Sequence, residues 1–585
     1  MKDDKDSLHN LRHTLAHLLA RAVEEHYPEA QPTIGPPTDD GFYYDFDFGE
    51  TDFGEDDLKK IEKTMKKLLP SWTAFEAKEV TPDEAREAFE GNEYKKELID
   101  ELEDEGATIT FYTAGDFTDL CRGGHLKNPA EEINPNAFKL DRIAGAYWRG
   151  DENNTMLTRI YGLAFETPEE LKEYKGKREE AKKRDHRKLG KELDLFTFSD
   201  LIGPGLPLFT PKGTLLRDLI VEKIHDIQED FGYDRVTIPH ISKKDLFETS
   251  GHWEKFGDEL FRVKGKGDSD FDFVMKPMNC PLHTQIYASR QRSYRDLPIR
   301  YTEATMVYRD EQAGELLGLS RVRAITQDDG HVFCTEEQAE EEILNIVKVI
   351  EQFYTSLGMW NDDTFWVSLS VRDPEKPEEY LGEDTRWERA EETLKNVAEK
   401  AELPFKRIEG EAAFYGPKLD FMFKDALGRE WQLGTAQYDL NMPGRFGLVY
   451  TDANGEEKTP VMIHRAIAGS LERFLSVIIE HFAGKFPLWL SPVQVKVLPI
   501  GEDHREYAES VAKELGDAGI RVEVDTSDNT LGKKIRVVKM EKVPYFLVIG
   551  DNEVEGGNVT VESRDEGKVG VMKVEELIDK LESEV

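Results

Sequence analysis

The sequence has few cysteines: Cys121, Cys280 and Cys334 are the three among 585 residues. Three scattered cysteines cannot build a disulfide framework, so each is expected to be a buried apolar residue, a metal ligand or a nucleophile. Burial is the common outcome for a cysteine considered alone. Cys280 is distinctive because Pro277 and Pro281 flank it and stiffen the backbone around it. A rigidly held thiol favours a chemical role.

Long hydrophobic runs are also missing. No apolar stretch approaches the roughly 20 residues that a membrane helix needs, and no charged and then apolar leader follows Met1. Hydrophobic residues make up 38% and charged residues 33% of the chain, which is typical of a soluble globular protein. We therefore expect a cytoplasmic protein without a membrane partner. Its length is too great for one hydrophobic core and predicts several domains.

Basic residues are scarce, and the formal net charge is -41. Such acidity ordinarily argues against a nucleic-acid partner, because binding to phosphates draws mainly on lysine and arginine. The segment 172–191 is the exception, with ten lysines and arginines against four acidic residues. This segment is either a solvated helix with charge pairs one turn apart or a connector that follows a phosphate backbone. The acidity of the whole chain prompts the hypothesis of adaptation to high salt.

Four segments differ in their pattern. Residues 1–170 mix helical and strand spacing, and residues 171–194 form a basic, helix-favouring connector. Residues 195–487 alternate aromatic-rich strand candidates with long amphipathic helices such as 336–357, which favours an antiparallel sheet covered by helices. Residues 488–585 follow a strand–helix rhythm that predicts a small parallel-sheet domain. The predicted fold class is α+β with several domains.

One thiol and two imidazoles form a candidate zinc set: Cys280, His331 and His464. Three protein ligands leave one coordination position open, as in catalytic zinc sites. Their spacing along the chain does not by itself join them, and a histidine considered alone is more often a hydrogen-bonded structural residue. Cys280 and His283 would be half of a closed structural site, but a second Cys/His pair is missing nearby. A catalytic Cys/His dyad would leave His464 without a role.

Two further Cys/His pairs lie in the first segment. HTLAH places His13 and His17 one helical turn apart on the same face, and CRGGH gives Cys121 and His125 the same spacing. These pairs are either the two halves of a second zinc site or two unconnected surface motifs on helices. The spacing leaves both interpretations open.

The order of seven motifs resembles the threonyl-tRNA synthetases, a family of class II aminoacyl-tRNA synthetases. The motifs are KPMNCP (276–281), YRDLP (294–298), YRDE (308–311), RVR (321–323), TQDDGH (326–331), FYGPK (414–418) and HRAIAGSLER (464–473). The resemblance covers nearly the whole chain. It implies a class II antiparallel sheet core with helices at 195–487, an N-terminal α+β editing domain at 1–170 and a C-terminal α/β anticodon-binding domain at 488–585.

By this resemblance the protein activates L-threonine with ATP and Mg²⁺ and transfers it to tRNA(Thr). Cys280, His331 and His464 would hold one catalytic Zn²⁺ per subunit, which binds the amine and the hydroxyl of threonine. Valine has nearly the same shape but no hydroxyl, and an apolar pocket alone would separate the two only about 100-fold. The residues implied for ATP binding and catalysis are Arg309, Glu311, Arg321, Lys418, Gln437 and Arg473. Those implied for the threonine pocket are Gln327, Asp329, Tyr415 and Gln432.

The resemblance also implies hydrolytic editing of mischarged seryl-tRNA(Thr), because serine carries the same hydroxyl and is one methyl smaller. The implied editing residues are His13, His17, Lys95, Asp119, Cys121 and His125. Pro239 would lie at the interface of a homodimer, and Arg536 and Glu553 would contact the anticodon. The metal content of the editing site stays open at this point.

Several positions depart from the family pattern. The ubiquitin-like domain that usually opens these enzymes is expected to be missing, since HTLAH begins close to Met1. Gly124 stands at a usual proline and Leu317 at a usual histidine, while Glu562 and Asp528 replace a basic residue and an asparagine. Two rival functions are a regulatory RNA-binding protein without catalysis and an editing hydrolase with a degenerate core. The presence of both motif arginines and all three zinc-ligand candidates disfavours these rivals.

Overall fold

The computed structural model describes residues 2–265, 273–361 and 363–584. The chain divides into two compact units, Met1–Glu179 and Glu180–Val585. The division falls inside the helix Pro168–Arg184, which belongs to the predicted connector. The bounds of the four predicted domains stay predictions, and the end residues 1 and 585 lie outside the described residues. Among those residues no helix is long and apolar enough to cross a bilayer.

In the first unit a long helix, Lys2–His26, packs against a five-stranded sheet. Its inward face is formed by aliphatic residues at helical spacing, and Leu15, Leu18 and Leu19 are completely buried. The strands of this sheet are Gln31–Pro32, Pro37–Thr38, Gly41–Asp47, Phe138–Tyr147 and Met156–Ala164. A second sheet contains Glu76–Val80, Ile109–Ala114 and Phe117–Leu120. The other helices are Leu58–Leu68, Pro82–Ala88, Glu93–Asp104 and Pro129–Glu132.

An eight-stranded sheet forms the centre of the second unit. In spatial order its strands are Asp234–Arg235, Ile299–Tyr308, Ala324–Cys334, Val461–Ala466, Glu430–Asp439, Lys418–Lys424, Phe365–Val371 and Phe405–Glu409. The inner strands pair antiparallel and the two edge strands pair parallel, which confirms the predicted antiparallel core. A smaller sheet contains Ile241–Lys243, Arg262–Val263 and Phe273–Met275. Two hairpins join Phe196–Thr197 to Leu208–Phe209 and Tyr450–Thr451 to Glu457–Lys458.

Helices flank this large sheet. The helix predicted at 336–357 extends over Ala339–Ser356, and its apolar face belongs to the hydrophobic core of the unit. The other helices are His186–Glu192, Pro211–Glu229, Lys244–Ser250, His252–Phe256, Cys280–Ala288, Asp384–Lys400, Met442–Arg445 and Leu471–His481.

The C-terminal part of the second unit has its own five-stranded sheet and core. Strands Val522–Val524, Val495–Pro499 and Tyr545–Ile549 are parallel, as the strand–helix rhythm predicts. Val559–Ser563 and Gly567–Met572, which the rhythm does not predict, extend this sheet antiparallel as a hairpin. The helices here are Arg505–Asp517, Leu531–Met540, Asp551–Gly556 and Val574–Glu582.

The register of the large sheet brings distant residues into one row. His331 lies directly opposite His464, and His464 lies opposite Gln437 on the next strand. Gln437 in turn lies opposite Lys418. Side chains at directly opposed positions project from the same face of a sheet. Residues that are far apart in sequence therefore become neighbours through strand pairing.

Candidate active sites

The three predicted zinc ligands converge in the second unit. Cys280, His331 and His464 are all buried, and one ligand atom from each lies within 4.8 Å of the others. His331 Nε2 and His464 Nδ1 are 3.2 Å apart. Tetrahedral zinc with bonds of about 2.0–2.3 Å holds its ligand atoms roughly 3.3–3.7 Å apart. Cys280 is the first residue of helix Cys280–Ala288, where Pro281 fixes the entering backbone.

The outward nitrogens of the two imidazoles already have partners. His464 Nε2 lies 2.8 Å from Asp439 Oδ2, and His331 Nδ1 lies 2.7 Å from His283 Nδ1. Because a carboxylate only accepts, His464 Nε2 carries the proton and its Nδ1 lone pair faces the cluster. Burial raises the pKa of the Cys280 thiol well above its ordinary range. A thiolate at this position therefore requires a cation within bonding distance, and the donor set fits zinc.

Sequence reasoning missed these supporting residues. Asp439 is at the end of the strand Glu430–Asp439 and has no motif spacing that ties it to His464. His283 was considered only as a partner of Cys280, whereas its ring contacts His331. His252 Nε2 lies 3.7 Å from Cys280 Sγ and was not predicted at all. Only strand register and tertiary packing bring these residues together.

Two adjoining cavities open beside the cluster. The smaller, of 80 Å³, is bordered by His331 and His464, and the larger has a volume of 790 Å³. Of the predicted residues, the smaller cavity is lined by Arg309, Gln327, Asp329, Tyr415 and Gln437. The larger is lined by Arg309, Glu311, Arg321, Gln327, Gln432, Gln437 and Arg473, with Leu317 beside them. A small pocket at the metal-type cluster thus leads into a space of nucleotide dimensions.

The two glutamines predicted for the site both line the larger cavity. Gln437, expected toward the nucleotide, borders both cavities, and its Oε1 accepts a hydrogen bond from Tyr415. Gln432, expected in the threonine pocket, lines only the larger cavity, where its amide donates to Asp420 at 2.6 Å. The register explains the difference, because Gln437 is opposite His464 whereas Gln432 is near the other end of the strand. Lys418 Nζ lies 2.7 Å from Asp420 as well.

Three arginines that line the larger cavity differ in their hydrogen-bond partners. Arg309 Nε is buried and has no hydrogen-bond partner among the described residues. Arg321 Nε donates to Glu311 at 2.8 Å, and another of its nitrogens lies 3.1 Å from Glu315. Arg473 is exposed in the first turn of helix Leu471–His481. A buried N–H without an acceptor, such as the Nε–H of Arg309, favours binding of an anion or another acceptor.

The second predicted cluster assembles in the first unit. Ligand atoms of His13, His17, Cys121 and His125 all lie within 4.8 Å of one another. Cys121 Sγ is 3.1 Å from His125 Nε2 and 3.5 Å from His13 Nε2. Helix Lys2–His26 supplies the first pair, and the loop after strand Phe117–Leu120 supplies the second. The interpretation as two unconnected surface motifs is therefore excluded.

Burial and neighbouring charges set the ionisation of this cluster. Burial opposes ionisation of the Cys121 thiol, but hydrogen bonds from His125, His13 and His17 lower its pKa to about 3. Burial likewise opposes a charge on His17, yet its contacts with Asp119 and Cys121 raise its pKa to about 9. Burial lowers the pKa of His125 to about 4. Near neutral pH Cys121 is therefore a thiolate, His17 is an imidazolium and His125 is neutral.

Asp119 contacts His17 of the cluster, and Lys95 pairs with Asp119. Lys95 Nζ lies 2.5 Å from Asp119 Oδ1, and the hydroxyl of Tyr44 donates to Asp119 Oδ2 at 2.6 Å. His17 Nδ1 is 3.2 Å from Asp119 Oδ2. Although burial alone raises the pKa of Asp119, the charge of Lys95 and the hydrogen bond from His17 lower it below its ordinary value. Asp119 thus stays ionised and stabilises the imidazolium.

A cavity of 420 Å³ opens beside this cluster. Its lining includes His13, His17, Lys95, Asp119 and Cys121. Gly124, which stands at a usual proline, has φ +85°, and its carbonyl accepts a hydrogen bond from His13 Nδ1. The proline ring holds φ near about −65°, so this backbone conformation is not available to the usual residue.

Replacing Lys95 by methionine is expected to destabilise the first unit. The substitution removes one of the two cations beside the buried Asp119 carboxylate and leaves only His17, which costs about 1–3 kcal/mol. Lys96→Met is the matched control, because Lys96 pairs with Glu93 on the exposed face of the same helix and should cost no more than about 0.5 kcal/mol. Amide hydrogen exchange of peptides from 2–179 measures the difference. Equal protection in both variants would contradict the assignment.

The remaining predicted residues lie away from the two clusters. Pro239 is exposed between the strands Asp234–Arg235 and Ile241–Lys243. Arg536 is exposed on helix Leu531–Met540. The Glu553 carboxylate accepts from the backbone of Gly550 and from the hydroxyl of Thr560, so both of its oxygens have partners within the domain. Of the two predicted anticodon residues, only Arg536 offers an uncommitted exposed position by this geometry.

Family models match three parts of the chain. The tRNA synthetase class II core domain (G, H, P, S and T) matches residues 261–482, which include the two cavities beside the metal-type cluster. An anticodon binding domain matches 494–584. The threonyl and alanyl tRNA synthetase second additional domain matches 109–161, which includes Cys121 and His125. The fold and these matches define a class II aminoacyl-tRNA synthetase.

Full-length relatives narrow this class. The threonine–tRNA ligase of Gloeobacter violaceus is 50% identical over 99% of this chain and 92% of its own length. That of Rubrobacter xylanophilus is 48% identical over 97% of this chain and 87% of its own. A crystal structure of the RNA binding domain of threonyl-tRNA synthetase from Cryptosporidium parvum is 39% identical, with a TM-score of 0.64 over 68% of this chain and 98% of that one. The chain belongs to the threonine–tRNA ligase family, whose reaction is the aminoacylation of tRNA.

Proposed function

We propose that Cys280, His331 and His464 hold one catalytic Zn²⁺ per subunit and that this cation selects threonine. Three protein ligands leave coordination positions open, and a bound zinc would supply Lewis-acid sites for the amine and the hydroxyl of the substrate. The observation that carries the proposal is that these three residues converge and that two of them, His331 and His464, border an 80 Å³ cavity. The valine side chain has no oxygen, so valine would lack the contact with the cation that the threonine hydroxyl makes.

Threonine would be held in the small cavity by protein groups as well. Asp329 and Gln437 border the cavity, and the Tyr415 ring stacks on His464 with centroids 4.9 Å apart. Asn279 donates to Asp329 at 3.0 Å and holds that carboxylate in place. We assign Gln437 to the threonine side and Gln432 to the nucleotide side, the reverse of the expectation from sequence.

ATP with Mg²⁺ would occupy the larger cavity. The threonine carboxylate attacks the α-phosphorus, the bond to the bridging oxygen breaks, and pyrophosphate leaves. This attack needs no general base, so orientation and charge stabilisation carry the rate. Arg309 would bind the α-phosphate, for which its unpartnered buried Nε is suited. Arg473 would bind the γ-phosphate, and Glu311 would accept from the adenine amine.

Positive charge near the adenylate would come from Arg321 and Lys418. Both have carboxylate partners here, Glu311 for Arg321 and Asp420 for Lys418. Nucleotide binding would therefore exchange the Arg321–Glu311 contact for contacts with ATP. Gln327 borders both cavities and would lie between the two substrates.

The cluster in the first unit would hydrolyse seryl-tRNA(Thr). Serine also carries the hydroxyl that the first site recognises, so a second site is needed to remove it. We propose that neutral His125 activates water, that protonated His17 stabilises the developing oxyanion, and that Cys121 and His13 hold the seryl end. Asp119 and Lys95 would maintain the charge of His17. This assignment requires no metal.

The pH dependence of editing follows from these groups. Protonation of His125, with a pKa of about 4, should reduce hydrolysis at low pH. Loss of the His17 proton, with a pKa of about 9, should reduce it at high pH. The enzymatic rate, corrected for spontaneous ester hydrolysis, is therefore expected to be nearly flat between about pH 5 and 8. A single rise with a midpoint near about 6.5, the ordinary histidine value, would contradict these roles.

We further propose a cytoplasmic homodimer that binds tRNA(Thr) along its length. Pro239 would lie at the subunit interface, the basic connector would follow the acceptor arm, and Arg536 would contact the anticodon. Charging of tRNA takes place where translation does, which supports the location. Base contacts would determine specificity while phosphate contacts position the tRNA.

Pyrophosphate exchange with threonine, valine and serine tests the proposed function. Threonine and serine should support exchange and valine should not, because only the first two carry the hydroxyl. Seryl-tRNA hydrolysis without any exchange would instead favour the editing hydrolase with a degenerate core. Absence of both activities would favour the regulatory RNA-binding protein.

A further inference from the structure

His186 lies outside both candidate sites and joins three parts of the second unit. It begins helix His186–Glu192, and its side chain is 4% exposed. His186 Nδ1 lies 2.7 Å from Glu480 Oε1, in the helix Leu471–His481 that begins near Arg473. The backbone nitrogen of Leu319 lies 3.0 Å from His186 Nε2. One buried imidazole therefore connects the basic connector, this helix and the segment that contains Leu319.

The two hydrogen bonds determine the tautomer. A backbone N–H can only donate, so His186 Nε2 accepts from Leu319 and Nδ1 carries the proton. That proton is donated to Glu480, which also accepts from the backbone nitrogen of His186 at 3.0 Å and from the guanidinium of Arg429. Asp185, His186 and Glu480 are close enough to resemble a metal site. Both ring nitrogens are in use, however, so His186 has no lone pair for an ion.

Leu319 belongs to a segment that borders the larger cavity, residues 310–323, which we call the nucleotide loop. Glu311 and Arg321 line the cavity from this loop. Besides the bond to His186, the loop is held by Ser320, whose hydroxyl lies 2.9 Å from that of Ser476. The backbone nitrogen of Arg323 donates to the Gly205 carbonyl at 2.8 Å.

The loop approaches the imidazole very closely. Gly318 precedes Leu319 and has φ +50°, in the left-handed region that favours glycine. A Cβ at Gly318 would lie 2.2 Å from His186 Nε2 and 2.9 Å from Arg187 Cγ. The backbone turn and the ring are therefore packed against each other without room for a side chain.

We infer that His186 is a positioning residue for ATP binding. Its Nε2 holds the turn of the nucleotide loop, and through this turn it sets where Arg321 and Glu311 face the cavity. Glu480 keeps the ring in the tautomer that can accept the Leu319 N–H. The inference rests on the proposed role of the loop in ATP binding. It adds that the basic connector contacts the nucleotide loop through one hydrogen-bond acceptor, His186 Nε2.

Two substitutions test the roles of the two imidazole nitrogens of His186 one at a time. His186→Gln can place a carbonyl oxygen where Nε2 stands and so retain the acceptor for Leu319. His186→Asn can place its amide only where Nδ1 stands. It therefore retains the hydrogen bond to Glu480 and loses the acceptor for the Leu319 N–H. In threonine-dependent pyrophosphate exchange we expect the asparagine variant to raise the KM for ATP about tenfold, with the glutamine variant within about threefold of wild type. The KM for threonine should not change in either.

Further variants make each outcome decisive. Ser491→Ala removes a buried hydroxyl that bonds to Phe486 and Pro487 carbonyls away from the loop, so it should lower the melting temperature without changing the KM for ATP. Gly318→Ala pushes against the ring and should raise the KM for ATP even if the asparagine variant does not fold.

Equal behaviour of the glutamine and asparagine variants, or a parallel rise of both KM values, would overturn the inference. Arg321→Ala separates this failure from that of the proposed function. If Arg321→Ala leaves the KM for ATP unchanged, the proposed role of the nucleotide loop is wrong. If it raises the KM while the His186 and Gly318 variants do not, only the positioning role is wrong.

Discussion

Cys280→Ser is expected to lose bound zinc and threonine activation together. A serine hydroxyl stays protonated near neutral pH and does not replace a thiolate as a zinc ligand. Without the cation, the small cavity retains only protein groups to recognise the substrate hydroxyl. We expect kcat/KM for threonine to fall about 10³- to 10⁵-fold, the scale of losing a group that a site is built to bind. Metal analysis and pyrophosphate exchange on the same preparation measure both losses.

Cys334→Ser is the matched control for this prediction. Cys334 is completely buried, and it is the last residue of the strand that carries His331, but it belongs to the hydrophobic core and not to the metal-type cluster. Its replacement should lower the melting temperature while zinc content and threonine activation remain. A Cys280→Ser variant that activates threonine normally without metal would show that the proposed pocket is wrong.

His13→Ala is expected to abolish most of the editing activity and none of the threonine activation. His13 Nδ1 donates to the Gly124 carbonyl, which directs Nε2 toward Cys121 Sγ at 3.5 Å. Removing the ring takes away one contact that lowers the pKa of Cys121 and opens the cluster to water. Hydrolysis of seryl-tRNA(Thr) should slow about 100-fold, the scale for a substrate that is no longer held in the reactive position.

His9→Ala provides the comparison on the same helix. His9 lies one turn before His13 and lines the same cavity, but it is exposed and does not belong to the four-residue cluster. Its replacement should leave most of the hydrolysis intact. Equal losses in the two variants would mean that the helix, and not the cluster, governs editing. Serine accumulation on tRNA(Thr) in steady-state charging reports the same difference.

The sequence was sufficient to select the candidate residues of both clusters, although spacing alone did not join them. HTLAH and CRGGH each place two potential ligands one turn or a short loop apart, and the three zinc-ligand candidates are each inside a motif of the family. The family resemblance carried the assignment of roles. Neither source indicates that His331 and His464 would be directly opposed across two strands, which depends on sheet register.

Supporting residues were the part that could not be predicted. Asp439, His283 and Glu480 act on their partners through tertiary contacts alone, and nothing in their local sequence distinguishes them from ordinary core residues. The different reach of Gln432 and Gln437 has the same origin. The two residues are five positions apart on one strand and both line the larger cavity, but only Gln437 also borders the smaller one.

The fold shows a similar limit. Strand–helix alternation predicts the parallel strands of the C-terminal sheet correctly, because each crossover helix has a clear apolar periodicity. The hairpin Val559–Ser563 and Gly567–Met572 follows a short helix, Asp551–Gly556, and reverses the direction of pairing. Local pattern identifies such strands but not the direction in which they join a sheet.

X-ray absorption at the zinc edge, with and without threonine, tests the central claim most directly. The account predicts one zinc per subunit with one sulfur at about 2.3 Å and two histidine nitrogens at about 2.0–2.1 Å. Threonine should add two light-atom ligands at similar distances, whereas valine should add at most one through its amine. A zinc with four protein ligands that does not respond to threonine, or a fully active enzyme without zinc, would contradict the account.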